Sequence, residues 1–227
     1  MPIKKLGTIV ALCFNRRMTT KTHMLLVNTM TLGRMPFVLL FMAMAIYHAR
    51  FPVQQGYAAK DFWAVGAALS LTIAALSDLY DGKLARKWKV VSKFGAMADP
   101  LMDKVFYVVV FPTLMWLVGR HDGCSFHALS LLFLTVIYTL RDQWVTFLRS
   151  VAANFPNADC SALWLGKFRT ASTFPVAIFI YLWVSLHPVF IPLGFVLSLE
   201  GILIVVTLWT AVSYTKVYFP FIKKSLE

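Results

Sequence analysis

Long blocks of apolar residues dominate the chain, and shorter segments containing charged residues separate them. A helix needs about 20 mostly apolar residues to cross the hydrocarbon layer of a bilayer. Blocks of about that length occupy residues 24–47, 62–82, 96–118, 126–147, 170–187 and 194–215. The pattern predicts an all-α polytopic membrane protein with six transmembrane helices, which form one domain over residues 24–219.

The first 23 residues differ from these blocks because basic and apolar residues are interspersed there. The segment contains five basic residues and no acidic residue. This composition is typical of an amphipathic helix that lies on the membrane surface. A mitochondrial presequence, which would also be basic and free of acids, is the alternative. No cleavable signal peptide is expected, since the first apolar run lacks a small-residue cleavage site. Residues 220–227 are expected to form a short basic tail.

The composition agrees with a membrane protein. The chain is 59% hydrophobic and only 14% charged, with a mean hydropathy of +0.70. Soluble domains carry about 25% charged residues, so too few charges remain to cover a water-facing surface. Disordered, collagenous and disulfide-rich chains are excluded by the same figures. Cys13, Cys124 and Cys160 are too far apart for a metal knuckle, and their odd number implies no disulfide framework.

The net charge of +12 lies mainly between the apolar blocks. We therefore expect anionic lipid headgroups as the partner of these basic residues, and no nucleic acid. With the N-terminus in the cytoplasm, only Arg50, Lys60 and Arg120 would lie outside. Sixteen basic residues would lie inside: Lys4, Lys5, Arg16, Arg17, Lys21, Lys83, Arg86, Lys87, Lys89, Lys93, Arg149, Lys167, Arg169, Lys216, Lys223 and Lys224. This bias predicts cytoplasmic termini, and we expect a bacterial inner membrane.

Four of the ten acidic residues fall within 26 positions, at Asp78, Asp81, Asp99 and Asp103. A charged side chain at the centre of a bilayer costs about 2.5–3.5 kcal/mol, so a cluster of four needs a compensating partner. The members of each pair lie three or four residues apart and share a helix face. A hairpin through residues 83–95 would bring the two pairs together.

Carboxylate oxygens without nearby histidine or cysteine favour Mg²⁺, Mn²⁺ or Ca²⁺ over zinc. Four carboxylates are enough for a two-metal site, which suits displacement at phosphorus. The alternative is an interfacial salt-bridge network between the acids and the lysines of the segment 83–95.

The acids belong to a longer pattern, which reads Asp78-x2-Asp81-Gly82-x2-Ala85-Arg86-x8-Gly95-x3-Asp99-x3-Asp103. At all eight positions the chain resembles the CDP-alcohol phosphatidyltransferase family, and the six-helix plan is similar too. The resemblance implies transfer of a phosphatidyl or similar phospho-group from a CDP-linked donor to an alcohol, with release of CMP. It also implies that the four aspartates hold Mg²⁺ or Mn²⁺, and that Asp103 takes the proton from the attacking hydroxyl. Relatives form homodimers, so a homodimer is expected.

The other positions of the pattern suit a nucleotide donor. Gly82 and Ala85 are small, so a nucleotide can approach the helix backbone closely. Arg86 offers a planar fork of donors for a diphosphate. Ser92 matches a hydroxyl position that contacts the nucleotide in relatives, and the alternative is a loop residue near a helix start.

The first block contains Asn28-x2-Thr31-x2-Arg34. This spacing resembles family members that use CDP-diacylglycerol, in which it helps to bind the donor. Taken alone, Asn28 could cap a helix and Arg34 could extend its charge to the membrane surface.

Four basic residues are candidates for binding a phosphorylated acceptor: Arg141, Arg149, Lys167 and Arg169. Arg141 and Arg149 lie eight residues apart, near one helix face. The run resembles the branch of the family whose acceptor is glycerol 3-phosphate, which has Arg-Glu, Leu-Arg and Gly-Lys-x-Lys-Thr. The alternative is that these residues only set the topology.

The chain departs from that branch at three positions. Asp142 stands where the branch has Glu, Arg169 where it has Lys, and Thr173 where Gln is common. Inositol phosphate, serine and phosphatidylglycerol are therefore alternative acceptors. Outside this family, an ion transporter that uses the acids is the alternative function. A catalytically inactive scaffold that keeps the same fold is a third possibility.

Glu200 and the histidines are not expected to take part in the chemistry. Glu200 is expected to be structural. The five histidines lie near block ends and are expected at the membrane interface: His23, His48, His121, His127 and His187.

Overall fold

The computed structural model describes the backbone of residues 3–50, 57–90, 92–120, 125–155, 164–186 and 192–226, and within these ranges it describes the side chains from residue 20 onward except those of residues 57–61, 93, 96 and 226. In these ranges the chain forms six helices and no strand. They are α1 (Ile3–Arg50), α2 (Tyr57–Trp88), α3 (Lys93–Val118), α4 (Ser125–Ala152), α5 (Trp164–Leu186) and α6 (Leu193–Leu226). All six are long and apolar enough to cross a membrane. The predicted all-α fold with six membrane helices is confirmed.

The helices extend beyond several of the predicted apolar blocks. α1 runs without a break from residue 3, so the expected division at residue 23 is not a helix boundary. The tail over 220–227 is helical through residue 226. These extensions are rich in lysine and arginine, which favour helix but not hydrocarbon. The orientation of residues 1–23 on the membrane surface stays a prediction.

The connection between α2 and α3 is much shorter than the predicted segment 83–95. α2 continues to Trp88, where Lys89 adopts a left-handed conformation with φ 54°. The Val90 amide donates to the Ala85 carbonyl at 3.1 Å, and the Lys89 amide donates to that of Arg86 at 3.3 Å. This pair of bonds is a Schellman cap. Because α3 begins at Lys93, both aspartate pairs lie on helices that meet at a tight turn.

α1 and α2 form an antiparallel hairpin, and α3 runs parallel to α1. His23 stacks on Trp88 at one end of the hairpin, with ring centroids 4.3 Å apart. Tyr47 packs on Trp63 at the other end, 4.4 Å apart. Ser92, just before α3, contacts Asn28 in the middle of α1. Arg120, just after α3, contacts the Ala49 carbonyl at the end of α1, so the two helices run in the same direction.

The last three helices continue this alternation. α4 runs antiparallel to α3, since Lys104 contacts Thr146 and Phe111 packs on Tyr138. α6 runs parallel to α4, because His127 and Trp144 of α4 contact Glu200 and Thr215 of α6 in that order. α5 runs antiparallel to α6. The basic C-terminal ends of α2, α4 and α6 therefore lie at one end of the bundle, with the N-terminal ends of α3 and α5.

A buried core of side chains joins the helices, and large apolar side chains also cover the outside. Phe41, Leu71, Phe111, Leu131 and Ile180 are fully buried. Many outward-facing leucine, phenylalanine and valine residues are exposed, among them Leu129, Phe133 and Val205. Such an apolar exterior suits contact with lipid, where no hydrophobic penalty arises.

His127 lies near the start of α4 and is buried between helices, and its position at the membrane interface stays a prediction. It is 1% exposed, and its Nε2 lies 2.6 Å from Oε1 of Glu200, which is 0% exposed. Ser130 Oγ donates to the other carboxylate oxygen at 2.6 Å. α6 begins at Leu193, so Glu200 lies inside the bundle and needs polar partners there. The expected structural role of Glu200 agrees with this link between α4 and α6. His23 and His48 lie towards opposite ends of the α1–α2 hairpin, and His121 and His187 lie outside the described residues.

Candidate active site

The turn between α2 and α3 brings the acidic side chains together. One carboxylate oxygen from each of Asp78, Asp99 and Asp103 lies within 4.8 Å of the others. The side chain of Asp99 is 55% exposed, so the cluster is open on one side. Three oxygens at this separation could hold a metal ion, and they are the hard ligands that divalent cations prefer.

Arg34 places its guanidinium among all four aspartates. Its Nη2 lies 2.5 Å from Asp78 Oδ1 and 3.4 Å from Asp99 Oδ1. The same nitrogen lies 3.1 Å from Asp81 Oδ2, and Nη1 lies 3.0 Å from Asp103 Oδ1. Arg34 is only 1% exposed, so it does not extend to the membrane surface. The acids pair with this residue of α1, and no described side chain of the segment 83–95 makes an ion pair with them.

One guanidinium cannot balance four carboxylates. Asp81 is 4% exposed and receives a further hydrogen bond from Thr31 Oγ1, at 2.9 Å. Thr31 and Arg34, which the sequence assigned to donor binding, thus contact the acids in this structure. The remaining negative charge suits additional cations, so the residues present fit a metal site.

Asn28 and Ser92 contact each other where α3 begins. Ser92 Oγ donates to Asn28 Oδ1 at 2.8 Å and accepts from the Gly95 amide at 2.8 Å, which caps α3. A Cβ at position 95 would lie 2.9 Å from Asn28 Oδ1 and 3.0 Å from Ser92 Oγ. Gly95 is therefore required by the close approach of α1 to this turn, a role that its spacing alone did not reveal. Asn28 lies inside α1 and caps no helix start of its own.

Gly82, Ala85 and Arg86 line the same cavity as the acids. The nearest atom to a Cβ built on Gly82 would be Arg86 Nη2, 4.0 Å away, so the helix backbone is open there. Arg86 Nε donates to the Gly82 carbonyl at 3.0 Å, and the side chain is exposed. Small residues and an exposed guanidinium thus border the carboxylate cluster.

The cavity has a volume of about 640 Å³ and extends from the acids to a basic wall. The four residues predicted to bind the acceptor all line it: Arg141, Arg149, Lys167 and Arg169. Asp142 Oδ1 accepts a hydrogen bond from Arg141 Nη1 and another from Arg169 Nη2, each 2.8 Å long. Four cations with one carboxylate among them make this wall electropositive.

Several residues of this wall were missed by the sequence analysis. Asp142 was noted only as a departure from a pattern, and Tyr214 was not considered. Arg149 Nη2 donates to the Tyr214 hydroxyl at 3.0 Å, and Arg141 Nε donates to Thr210 Oγ1 at 3.0 Å. Thr207, Thr210 and Tyr214 lie three and four residues apart, on one face of α6. This polar stripe in an apolar block was the available signal.

The sequence matches a known protein family over most of its length. Residues 24–213 match the family model described as CDP-alcohol phosphatidyltransferase. The chain belongs to this family. The match covers α1 from residue 24 onward, the carboxylate turn and the basic wall as far as the middle of α6.

Bacterial relatives with about 30% identity support the same assignment. A protein of Sodalis glossinidius is 30% identical over 154 residues, which is 67% of this chain and 78% of the relative. A Shigella flexneri protein is 32% identical over 152 residues, covering 65% and 75%. A Pectobacterium atrosepticum protein is 30% identical over 148 residues, covering 65% and 75%. Each is named CDP-diacylglycerol–glycerol-3-phosphate 3-phosphatidyltransferase.

Proposed function

We propose that this phosphatidyltransferase transfers the phosphatidyl group of CDP-diacylglycerol to a hydroxyl of glycerol 3-phosphate and releases CMP. The observation that carries the proposal is the single cavity in which a carboxylate cluster faces four basic side chains. The acids suit a metal-bound diphosphate, and the basic wall suits a phosphate on the acceptor. The names of the bacterial relatives agree with this pair of substrates.

The reaction is a displacement at phosphorus. The acceptor hydroxyl oxygen forms a bond to the phosphorus of the phosphatidyl group. The bond from that phosphorus to the oxygen bridging to CMP breaks, and its electron pair leaves with CMP. The hydroxyl proton passes to the carboxylate of Asp103, a member of the acidic cluster that also lines a pocket together with Arg169 of the basic wall.

Asp78, Asp81, Asp99 and Asp103 would hold Mg²⁺ or Mn²⁺, with two ions suiting four carboxylates. When bound, the metal supplies positive charge that stabilises the diphosphate and the departing CMP. The fit rests on the charge of the site, since Arg34 is the one cation bonded to the four acids among the described side chains.

The donor would lie along the α2–α3 turn. Gly82 and Ala85 leave the helix surface open, and Arg86 offers its remaining guanidinium donors to the diphosphate. Asn28 and Ser92 shape the start of α3 beside it. Thr31 and Arg34 act on the donor through the aspartates that they contact.

The acceptor phosphate would bind to Arg141, Arg149, Lys167 and Arg169. Arg141 Nη2 and Arg169 Nη1 are buried and have no hydrogen-bond partner among the described residues. A buried donor without a partner is costly, so an anion that accepted from either nitrogen would be stabilised. A neutral alcohol could accept a hydrogen bond but would bring no negative charge to the basic wall.

The protein would act as a homodimer in a bacterial inner membrane. The bundle places its basic helix ends and the cavity at one end, and that end would face the cytoplasm.

Replacing Arg141 by Ala tests the acceptor site. Since charge-assisted hydrogen bonds contribute about 1.5–3 kcal/mol, KM for glycerol 3-phosphate should rise roughly ten- to a hundredfold. KM for CDP-diacylglycerol should barely change, because Gly82 and Arg86 remain. Arg120→Ala, which removes a cation at the other end of the bundle, is the matched control. An equal effect of Arg141→Ala on both substrates would assign Arg141 a structural role instead.

A further inference from the structure

α6 carries no residue of the family's carboxylate pattern, and the family match ends at residue 213. Tyr214 nevertheless lies in the basic wall and is 1% exposed. Its ring centroid is 4.9 Å from the guanidinium carbon of Arg141 and 5.1 Å from that of Arg149. A single aromatic ring therefore contacts two of the cations proposed to bind the acceptor.

The hydroxyl of Tyr214, a residue of α6, lies close to residues of both α4 and α5. It accepts a hydrogen bond from Arg149 Nη2 at 3.0 Å. A Cβ built on Gly166 of α5 would lie 2.9 Å from this hydroxyl and 3.5 Å from Arg141 Nη2. Any side chain at position 166 would displace the hydroxyl. The glycine of α5 thus leaves room for the tyrosine of α6 to reach the arginines of α4.

Two guanidinium groups beside one ring repel each other, and the contacts of Tyr214 offset this repulsion. The face of an aromatic ring is negative and attracts cations. The hydroxyl adds an acceptor for Arg149. Asp142 binds Arg141 and Arg169 in the structure, whereas Tyr214 contacts Arg141 and Arg149. Asp142 and Tyr214 therefore hold the three arginines of the wall together even without a bound anion.

We infer that Tyr214 is a positioning residue, which holds Arg141 and Arg149 towards one phosphate-binding position in the cavity. Arg141 has a side chain that is 9% exposed, and its Nη2 has no hydrogen-bond partner among the described side chains. This nitrogen therefore has a donor to offer to a phosphate. The identification of that phosphate as the acceptor's rests on the proposed function, while phosphate binding itself does not.

Tyr214→Phe removes the hydroxyl and retains the ring. Because the lost hydrogen bond orients Arg149 and does not itself bind the phosphate, the dissociation constant of inorganic phosphate should rise by only about three- to tenfold. KM for glycerol 3-phosphate should rise by the same factor, with kcat and KM for CDP-diacylglycerol unchanged within about twofold. Tyr214→Leu also removes the ring and should weaken phosphate binding further. The full-length protein in detergent micelles is used throughout.

Tyr181→Phe is the matched control, since it also removes a buried tyrosine hydroxyl. That hydroxyl donates to the Ala64 carbonyl at 3.1 Å, between α5 and α2 and away from the cavity. Its loss should leave phosphate binding and both KM values unchanged. If Tyr181→Phe weakened phosphate binding as much as Tyr214→Phe, the effect would be one of general packing and the inference would be wrong.

A double-mutant cycle tests the contact with Gly166. Gly166→Ala should weaken phosphate binding in the native background, because the new methyl group displaces the hydroxyl. In the Tyr214→Phe background no hydroxyl is present, so the same change should have a clearly smaller effect. Equal effects in both backgrounds would contradict the proposed arrangement.

The outcomes separate this inference from the proposed function. If the native enzyme uses glycerol 3-phosphate but Tyr214→Phe binds phosphate normally, the positioning role is overturned and the function stands. If another alcohol is the acceptor but phosphate binds and Tyr214→Phe weakens it, the positioning role stands and the acceptor is wrong. If the native protein binds no phosphate, the inference is overturned. Should Tyr214→Leu fail to fold, Tyr214→Phe decides.

Discussion

At the scale of single residues, the central feature is a buried arginine among four aspartates. The spacing of the acids predicted their clustering, since positions three and four apart share a helix face. It did not predict that Arg34 would fill the cluster, because this depends on how α1 packs against α2 and α3. Tyr214 was missed for a similar reason, as a tyrosine in an apolar block resembles a core residue until its neighbours are known.

The proposed roles of two aspartates lead to different effects of mutation. Asp103→Asn should abolish turnover and leave CMP binding at least partly intact, because three carboxylates remain to hold metal. Asp78→Asn should weaken CMP binding together with turnover, since Asp78 lies one helical turn before Gly82, on the face of α2 proposed to receive the donor. Turnover assays and equilibrium binding of CMP with Mg²⁺ measure both. Near-normal turnover by Asp103→Asn would remove this residue from the mechanism.

At the scale of the helices, hydropathy located all six elements and underestimated their lengths. α2 was predicted over 62–82 and ends at Trp88, because the basic residues after Gly82 continue the helix outside the apolar layer. The cap at Lys89 and the N-cap at Ser92 depend on backbone geometry that an apolar pattern does not encode. These two caps decide that the aspartate pairs face each other.

Gly95 offers a test of this turn. A methyl group at position 95 would meet Asn28 Oδ1 at 2.9 Å and Ser92 Oγ at 3.0 Å. Gly95→Ala should therefore disrupt the cap, lower the free energy of unfolding by about 1 kcal/mol or more, and weaken CMP binding. Unfolding in detergent and CMP titration measure the two effects.

Gly201→Ala is the control for this change, since a Cβ there meets no atom within 4 Å. It should leave stability unchanged or slightly increased, because alanine favours helix over glycine. If the Gly95 and Gly201 variants behaved alike, close approach at the turn would not be the reason for the glycine.

At the scale of the whole molecule, the alternating helices place the N-terminal end of α1 and the C-terminal end of α6 at one end of the bundle. The basic ends of α2, α4 and α6 lie at that end, together with the cavity. The charge of the loops, which is visible without a structure, predicts that this end faces the cytoplasm. The shape of the cavity was not predictable, as it depends on side chains from five helices.

Thiol labelling in intact cells tests the orientation. In a variant without Cys13, Cys124 and Cys160, a cysteine replacing Lys87 should react with a membrane-impermeant reagent only after the cells are opened. A cysteine replacing Arg120, at the other end of the bundle, should react in intact cells. The reverse pattern would place the cavity on the outer side.

We propose that the carboxylates and the basic wall serve one reaction between CDP-diacylglycerol and glycerol 3-phosphate. The most direct measurement offers the purified protein CDP-diacylglycerol, Mg²⁺ and an equimolar mixture of glycerol 3-phosphate, inositol phosphate, serine, phosphatidylglycerol and glycerol, and identifies the lipid products by mass. Phosphatidylglycerophosphate should be the main product, and excess chelator should abolish its formation. A dominant product from serine or another neutral alcohol, or full activity in chelator, would contradict this proposal.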